Sequence, residues 1–201
     1  MKILLTGASS GIGSSINELL CIDHQVLAPT RAQLDLTNPA QIQNFVLEPF
    51  DMLINCAGTG VGGKIDFINH DPELINEILT VNLLSAMLLT QQVLKQNPSA
   101  KIVNITSTNN RQYHAGDLAY SLSKKSLEYF GQMLQVEYPQ SSVLEVRVGL
   151  TKTNFNHNRY KHNPERYTDI YTTKHLSADE VAYKICQVLL DDVVKFIEIS
   201  P

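Results

Sequence analysis

The sequence predicts a single α/β domain over residues 1–201, built on a doubly wound, mostly parallel sheet with helices on both faces. Three observations predict it. Strand-length apolar runs alternate with stripes of helical period from end to end. A glycine-rich turn joins the first run to the first stripe. Neither an internal repeat nor a low-complexity linker interrupts the alternation.

Ile3 to Leu5 is the first strand, and Ile12, Ile16, Leu19 and Leu20 then recur at helical spacing. Val26 to Ala28 is the second strand and Leu34-Asp35-Leu36 a short third. Only about six residues separate the second strand from Asp35, whereas a parallel crossover needs a dozen or more. Either a loop makes this crossing or the third strand is little more than an extended turn. Asn38-Pro39 starts a helix with proline at its first position, burying Ile42, Phe45 and Val46. Met52 to Ile54 suits a strand buried on both faces. Asp71-Pro72 opens a longer helix with Ile75, Ile78, Leu79, Leu83 and Met87 inward. Ile102 to Ile105 is a fifth strand, followed by a helix with Leu127, Phe130 and Leu134 in the core. Val143 to Val148 is a sixth strand. Ser177-x-x-Glu180 is a capping box before Val181, Ile185, Val188 and Leu189, and Val193 to Ile199 is a seventh strand.

Composition narrows the function classes. Apolar residues make up 43% and charged residues 18%, as in soluble globular chains. The net charge of -4 without a basic run argues against nucleic acid as a partner. Met1 to Leu5 is too short an apolar run for a signal peptide, and no apolar stretch approaches the roughly 18 residues that span a bilayer. Cys21, Cys56 and Cys186 are odd in number and far apart, which suits reduced thiols in a cytoplasmic protein. They lack zinc-ligand spacing, so no metal is expected.

Tyr120 and Lys124 lie four apart in a helical stretch and project from one face. A free phenol has a pKa near ~10, and a cation held close brings it down toward neutrality. Such a tyrosine can exchange a proton with an alcohol or ketone. The turn Thr6-Gly7-Ala8-Ser9-Ser10-Gly11-Ile12-Gly13 sits between strand and helix, where glycines admit a ligand and the helix start attracts phosphate. After the second strand the chain offers Thr30-Arg31 and no carboxylate. An acidic residue there favours NAD through the ribose 2′-hydroxyl, and an arginine accommodates the 2′-phosphate of NADP. NADP(H) is therefore favoured over NAD(H), Arg31 being otherwise a solvated charge.

Taken together these stretches resemble the classical short-chain dehydrogenase/reductase family, whose sheet is a Rossmann fold. The resemblance rests on the glycine turn, Asn55-Cys56-Ala57-Gly58, Ser107 and Tyr120-x-x-x-Lys124, in the family's order. Ser107 precedes Tyr120 by thirteen residues, the family interval, and Asn82 falls where the family keeps a helix asparagine. Asp35-Leu36 resembles its adenine-contacting pair. The family's Pro-Gly after the sixth strand is Val148-Gly149 here, with Thr153 in place.

The resemblance implies an NAD(P)-dependent oxidoreductase acting on a small-molecule carbonyl or alcohol. Tyr120 would be the acid or base, and Lys124 would lower its pKa and bind the nicotinamide ribose. Ser107 would hold the substrate oxygen, and Asn82 would support a proton relay. Cofactor contacts are expected from Gly7, Ser9, Ser10, Gly11, Ile12, Gly13, Arg31, Asp35, Leu36, Asn55, Ala57, Gly58, Tyr120, Lys124, Val148, Gly149 and Thr153. Cys56 is read as packing. A homodimer or homotetramer is expected by the same resemblance.

Substrate contacts are expected from Thr108 to Leu118, including Gln112, Tyr113 and His114, and from a loop around 152–175. That loop sets Lys152, Arg159, Lys161, Arg166 and Lys174 against Glu165 and Asp169, and reads as a solvated surface or as a basic lid for an anionic substrate. It also carries His157, His162 and His175, not at zinc spacing. Tyr160, Tyr167 and Tyr171 could shield a closed site. The rival to an enzyme is a non-catalytic nucleotide-binding regulator or scaffold of the same fold.

Overall fold

A computed structural model describes residues 1–45, 48–111, 114–161, 164 and 170–201. The strands are β1 (Lys2–Leu5), β2 (Gln25–Leu27), β3 (Met52–Asn55), β4 (Lys101–Ser107), β5 (Val143–Val148), β6 (Thr151–Lys152), β7 (Leu176–Ser177) and β8 (Phe196–Ile199). Six of them form a parallel sheet in the order β2-β1-β3-β4-β5-β8, and β6 pairs with β7 in a small ribbon.

Alternation along each strand feeds two cores. Ile3 and Leu5 face one layer and Leu4 the other, all fully buried. On the first face, α1 (Gly11–Leu20) and α7 (Ala178–Cys186) pack Ile16, Leu20, Val181 and Ile185 against Ile3, Val103 and Val146. On the second, α2 (Pro39–Gln43), α4 (Ser85–Gln96) and α5 (Leu118–Glu137) pack Ile42, Leu89, Val93 and Leu134 against Leu4, Leu53 and Ile102. Two further helices are α3 (Pro72–Leu79) and α6 (Asn154–Arg159). The predicted starts are capped as the sequence implies. Asn38 accepts from Gln41 N at 3.1 Å, Asp71 from Glu73 N at 2.8 Å, and Ser177 and Glu180 form a reciprocal box.

The structure corrects several details. Leu34 to Leu36 form no strand; they run as an extended turn, with Leu34 buried against the second core. The connection is too short for a parallel crossover, so β2 ends the sheet. Leu19 points outward, 38% exposed. The last strand starts at Phe196 rather than Val193, which is exposed. Val46 lies outside the described residues.

The long helix is not uniform. A π-helical turn, Thr80–Leu84, separates α3 from α4. Beyond it Met87 is exposed, and Ala86, Leu89 and Val93 turn inward, continuing the 3.6-residue stripe of Ile78 and Asn82. The 25-residue run Pro72–Gln96 contains an 18-residue window of mean hydropathy 1.3 and so is long and apolar enough to cross a membrane by length and composition, contrary to the sequence reading. Here it packs on α2 and α5 and buries Thr80, Asn82, Ser85 and Thr90.

Ser177→Ala should lower stability by about 1 kcal/mol by removing one half of the capping box. The check is a lower urea midpoint at unchanged slope.

Candidate active site

The strand order reverses at β1, which lies between β2 and β3. A crevice therefore opens at the carboxyl ends of β1 and β3. Gly7 has φ 76°, and a Cβ on it would stand 2.7 Å from Ala57 Cα. A Cβ on Gly13 would stand 2.2 Å from the Gly7 carbonyl oxygen. Thr6 ties the two loops together, its Oγ1 accepting from Cys56 N at 3.1 Å and Ala57 N at 3.2 Å. Ser10 caps α1 without a side-chain bond, and the first turn carries no acidic residue, so the positive helix end faces the crevice unneutralised.

The crevice widens into a cleft of about 1320 Å³. Gly7, Ser9, Ser10, Gly11, Ile12, Gly13, Arg31, Asp35, Leu36, Ala57, Gly58, Ser107, Tyr120, Lys124, Val148, Gly149 and Thr153 all line it, as the sequence implies. Asn55 and Asn82 do not. Asn55 is buried beneath the floor, where its amide donates to Asn104 Oδ1 at 3.0 Å. It is too deep for the cofactor contact expected of it. Asn82, only 1% exposed, acts through others: its Oδ1 accepts from Thr59 N at 2.7 Å, and its amide donates to Thr59 O and to Ser123 Oγ, both at 2.9 Å. Ser123 in turn donates to the Tyr120 carbonyl at 2.7 Å. The π turn thus braces the first turns of α5.

Tyr120 and Lys124 lie one turn apart on α5, and Ser107 ends β4. The Ser107 hydroxyl stands by the Tyr120 phenol, close enough to act on its pKa, and accepts from Asn109 N at 3.3 Å. Burial raises the Tyr120 pKa, opposed by the Ser107 hydroxyl and the Arg159 guanidinium, while the Asp117 carboxylate raises it further. The Lys124 ammonium donates to the Ile105 carbonyl at 3.0 Å, and burial lowers its pKa to about 8. Burial also pushes Cys56 up to about 11, keeping a neutral, packed thiol. At the adenosine end, the Arg31 guanidinium lies 3.6 Å from the Asp35 carboxylate and is 76% exposed. Thr37 N and Oγ1 donate to that carboxylate at 2.9 and 2.8 Å and hold its pKa below the usual range.

Three residues at the site escaped the sequence reading in whole or part. Arg159, counted there as one loop charge, is buried and ion-paired with Asp117. Its guanidinium lies 5.1 Å from the Tyr120 ring centre, and the Phe155 ring centre 5.6 Å away on α6. Asp117 stands at a helix start three residues before Tyr120, a signal that could have been read; nothing local marks Arg159. The other described loop cations, Lys152, Lys161 and Lys174, are exposed. Tyr160 is buried in the cleft wall, and Tyr171 accepts from Asn156 Nδ2 at 3.0 Å. Gln112, Tyr113, His162, Glu165, Arg166, Tyr167 and Asp169 lie outside the described residues.

Comparison with known proteins agrees with this fold. The chain matches the short chain dehydrogenase family over residues 29–164. It belongs to that family. Among curated short-chain dehydrogenases it is 27% identical over 217 residues to an NADP-dependent 3-hydroxy acid dehydrogenase of Schizosaccharomyces pombe, covering 90% of this chain and 83% of that one. It spans 54 to 63% of the length of some other curated relatives. Among solved structures, a closed serine dehydrogenase with NADP+ superposes at a TM-score of 0.88, with 23% identity, covering 99% and 94% of the two chains. A 4-hydroxyisoleucine dehydrogenase with NADH superposes at 0.80, with 21% identity, covering 99% and 96%.

Beside the site, Glu145 is 7% exposed and accepts from Thr106 Oγ1, and burial raises its pKa to about 7. Between its ordinary value of 4.5 and about 7 the folded chain holds a proton that the unfolded chain has released, so stability falls as pH rises through that window. Glu145→Gln should be more stable than the parent at pH 8, by up to about 3 kcal/mol. The gain should vanish below pH 4.5; equal urea midpoints at both pH values would contradict it.

Proposed function

We propose that this chain is an oxidoreductase that reduces a small-molecule carbonyl with NADPH, or runs the reverse alcohol oxidation. One observation carries the reading: Ser107 and Tyr120 stand together in the wall of the glycine-lined cleft, close enough for the serine to act on the phenol, with Lys124 one turn further along α5. The non-catalytic alternative does not require that arrangement.

A dinucleotide fits the residues present. Gly7 and Gly13 leave a cradle that side chains would fill, and the open start of α1 suits a pyrophosphate. Gly11, Ser9, Ser10 and Ile12 would complete that cradle, Asp35 and Leu36 would flank the adenine, and Arg31 would meet a 2′-phosphate. A Cβ on Gly58 would stand 3.2 Å from Lys124 Nζ, so glycine there leaves room for the ribose that Lys124 would bind. Ala57, Val148, Gly149 and Thr153 would border the nicotinamide. The bound nicotinamide would supply the hydride.

Ser107 would donate to the substrate oxygen while Asn109 N holds its lone pair, which fixes the hydroxyl rotor. Burial keeps Tyr120 a neutral phenol near pH 7, the form that gives a proton to a carbonyl oxygen. This favours the reductive direction. Asn82 is a positioning residue, bracing Thr59 and, through Ser123, the Tyr120 turn. The cofactor preference rests on Arg31 and on the absence of a carboxylate directly after β2. The NADP-bound relatives support it, and the NADH complex of another shows that the fold admits both.

We also propose a homodimer or homotetramer, supported by exposed Leu122, Tyr129, Met133 and Val136 on α5. The free thiols of Cys21, Cys56 and Cys186 support a cytoplasmic location.

A panel of aldehydes, ketones and alcohols with NADPH and NADH, followed by nicotinamide absorbance, tests the activity. Cofactor binding with no turnover across the panel would favour the scaffold reading. On a substrate so found, Tyr120→Phe should retain NADPH binding and lose about 10²–10⁴-fold in turnover. Reduction should stay level through neutral pH and fall at alkaline pH as Tyr120 loses its proton. Titration should show tighter binding of NADPH than NADH, and Arg31→Ala should remove the difference; equal affinities in the parent protein reject the preference.

A further inference from the structure

Tyr120 is held by more than Ser107. Phe155 packs on its ring at 5.6 Å with a tilt of 51°, and the Arg159 guanidinium sits 5.1 Å from the ring centre. Arg159 is ion-paired with Asp117, the residue immediately before α5. Both charges are buried, at 7% and 2% exposure, and the second Asp117 oxygen accepts from Asn109 Nδ2 at 3.3 Å. The Tyr160 ring lies 5.8 Å from the guanidinium on another side.

An ion pair this buried is costly to maintain, and hydrophobic packing could have joined the same two segments. Its placement is also asymmetric. The cation lies over the Tyr120 ring, whereas the anion sits at the start of the tyrosine's own helix. A cation on a phenol's face favours the phenolate, and a nearby carboxylate disfavours it.

We propose that the Arg159–Asp117 pair is a positioning device for Tyr120: Arg159 clamps the ring against Ser107 and promotes proton release, and Asp117 moderates that effect. This rests on Tyr120 being the proton donor. The pair also ties α6, within the substrate loop, to the helix that carries the chemistry. Among the described residues, the other ionisable groups on elements around Tyr120 include Lys124, Lys125 and Glu128 on its own helix, His157 on α6, Tyr160 beyond Arg159 and His114 before α5, with Cys56, Lys64 and Lys161 also lining the cleft. Lys124 donates to the Ile105 carbonyl, and Arg159 and Asp117 are the charges that act on the phenol among the described residues.

A passive latch and a tuning pair differ in sign. Losing either partner of a latch loosens Tyr120 in the same way. In a tuning pair the two losses act in opposite directions. Full-length protein with carbon-13-labelled tyrosine rings reads this by NMR, the Tyr120 resonance being the one missing from Tyr120→Phe. Asp117→Asn should ionise Tyr120 about 1 pH unit earlier than the parent, and Arg159→Met later. Asparagine also serves at helix starts, so Asp117→Asn keeps the fold, as circular dichroism will verify, and decides the matter alone if Arg159→Met does not fold. The proposal is overturned if Asp117→Asn titrates no earlier than the parent, or if both variants shift the same way. The titration needs no substrate, so its failure is distinct from that of the enzymatic reading, which the turnover of Tyr120→Phe tests.

Discussion

The close approach of main chain to main chain at the switch point governs the geometry of everything above it. Gly13 packs on the Gly7 carbonyl and Gly7 on Ala57, at distances that no side chain permits. Thr6 holds the same loops by accepting from two backbone amides. The register of the sheet then completes the crevice. β3 ends at Asn55, opposite Asn104, while β4 continues to Ser107. Three residues of β4 thus project past their neighbour, and the last carries the hydroxyl that meets Tyr120.

Behind this wall the protein buries an uncommon amount of polarity. Asn82, Ser123, Lys124, Asn104, Glu145 and Arg147 are all buried around α5 and the centre of the sheet. Arg147 joins α5 to the sheet edge, donating to Glu128 at 2.9 Å and to Glu198 at 3.0 Å. Such groups destabilise a core unless they find partners, and when they do they specify one arrangement. Here the partners are the segments that must stay in register for the site: Thr59 with the π turn, the Tyr120 carbonyl with Ser123, and Ile105 with Lys124.

The electrostatics depart from the simplest reading of a tyrosine and lysine four apart. Spacing on a helix puts both side chains on one face, but not against each other. Lys124 extends to a strand carbonyl, whereas Tyr120 meets a serine on one side and a guanidinium on the other. Burial, Ser107, Arg159 and Asp117 act on the phenol, and of these Arg159 is brought near only by the return of the chain after β6.

What the sequence determined by itself was local and periodic. Alternating apolar runs fixed the layers, Asn38, Asp71 and Ser177 fixed helix starts, and the glycine turn with Ser107, Tyr120 and Lys124 marked the site. These are legible because backbone geometry and side-chain period act within a few residues. Tertiary structure alone decided the rest. It put a π turn into the long helix and left Met87 outside the core. It also sank Asn55 beneath the floor and drew Arg159 from a charged loop into the core beside Asp117. Those outcomes depend on partners 15 to 50 residues away, at distances set by packing, which no local spacing encodes.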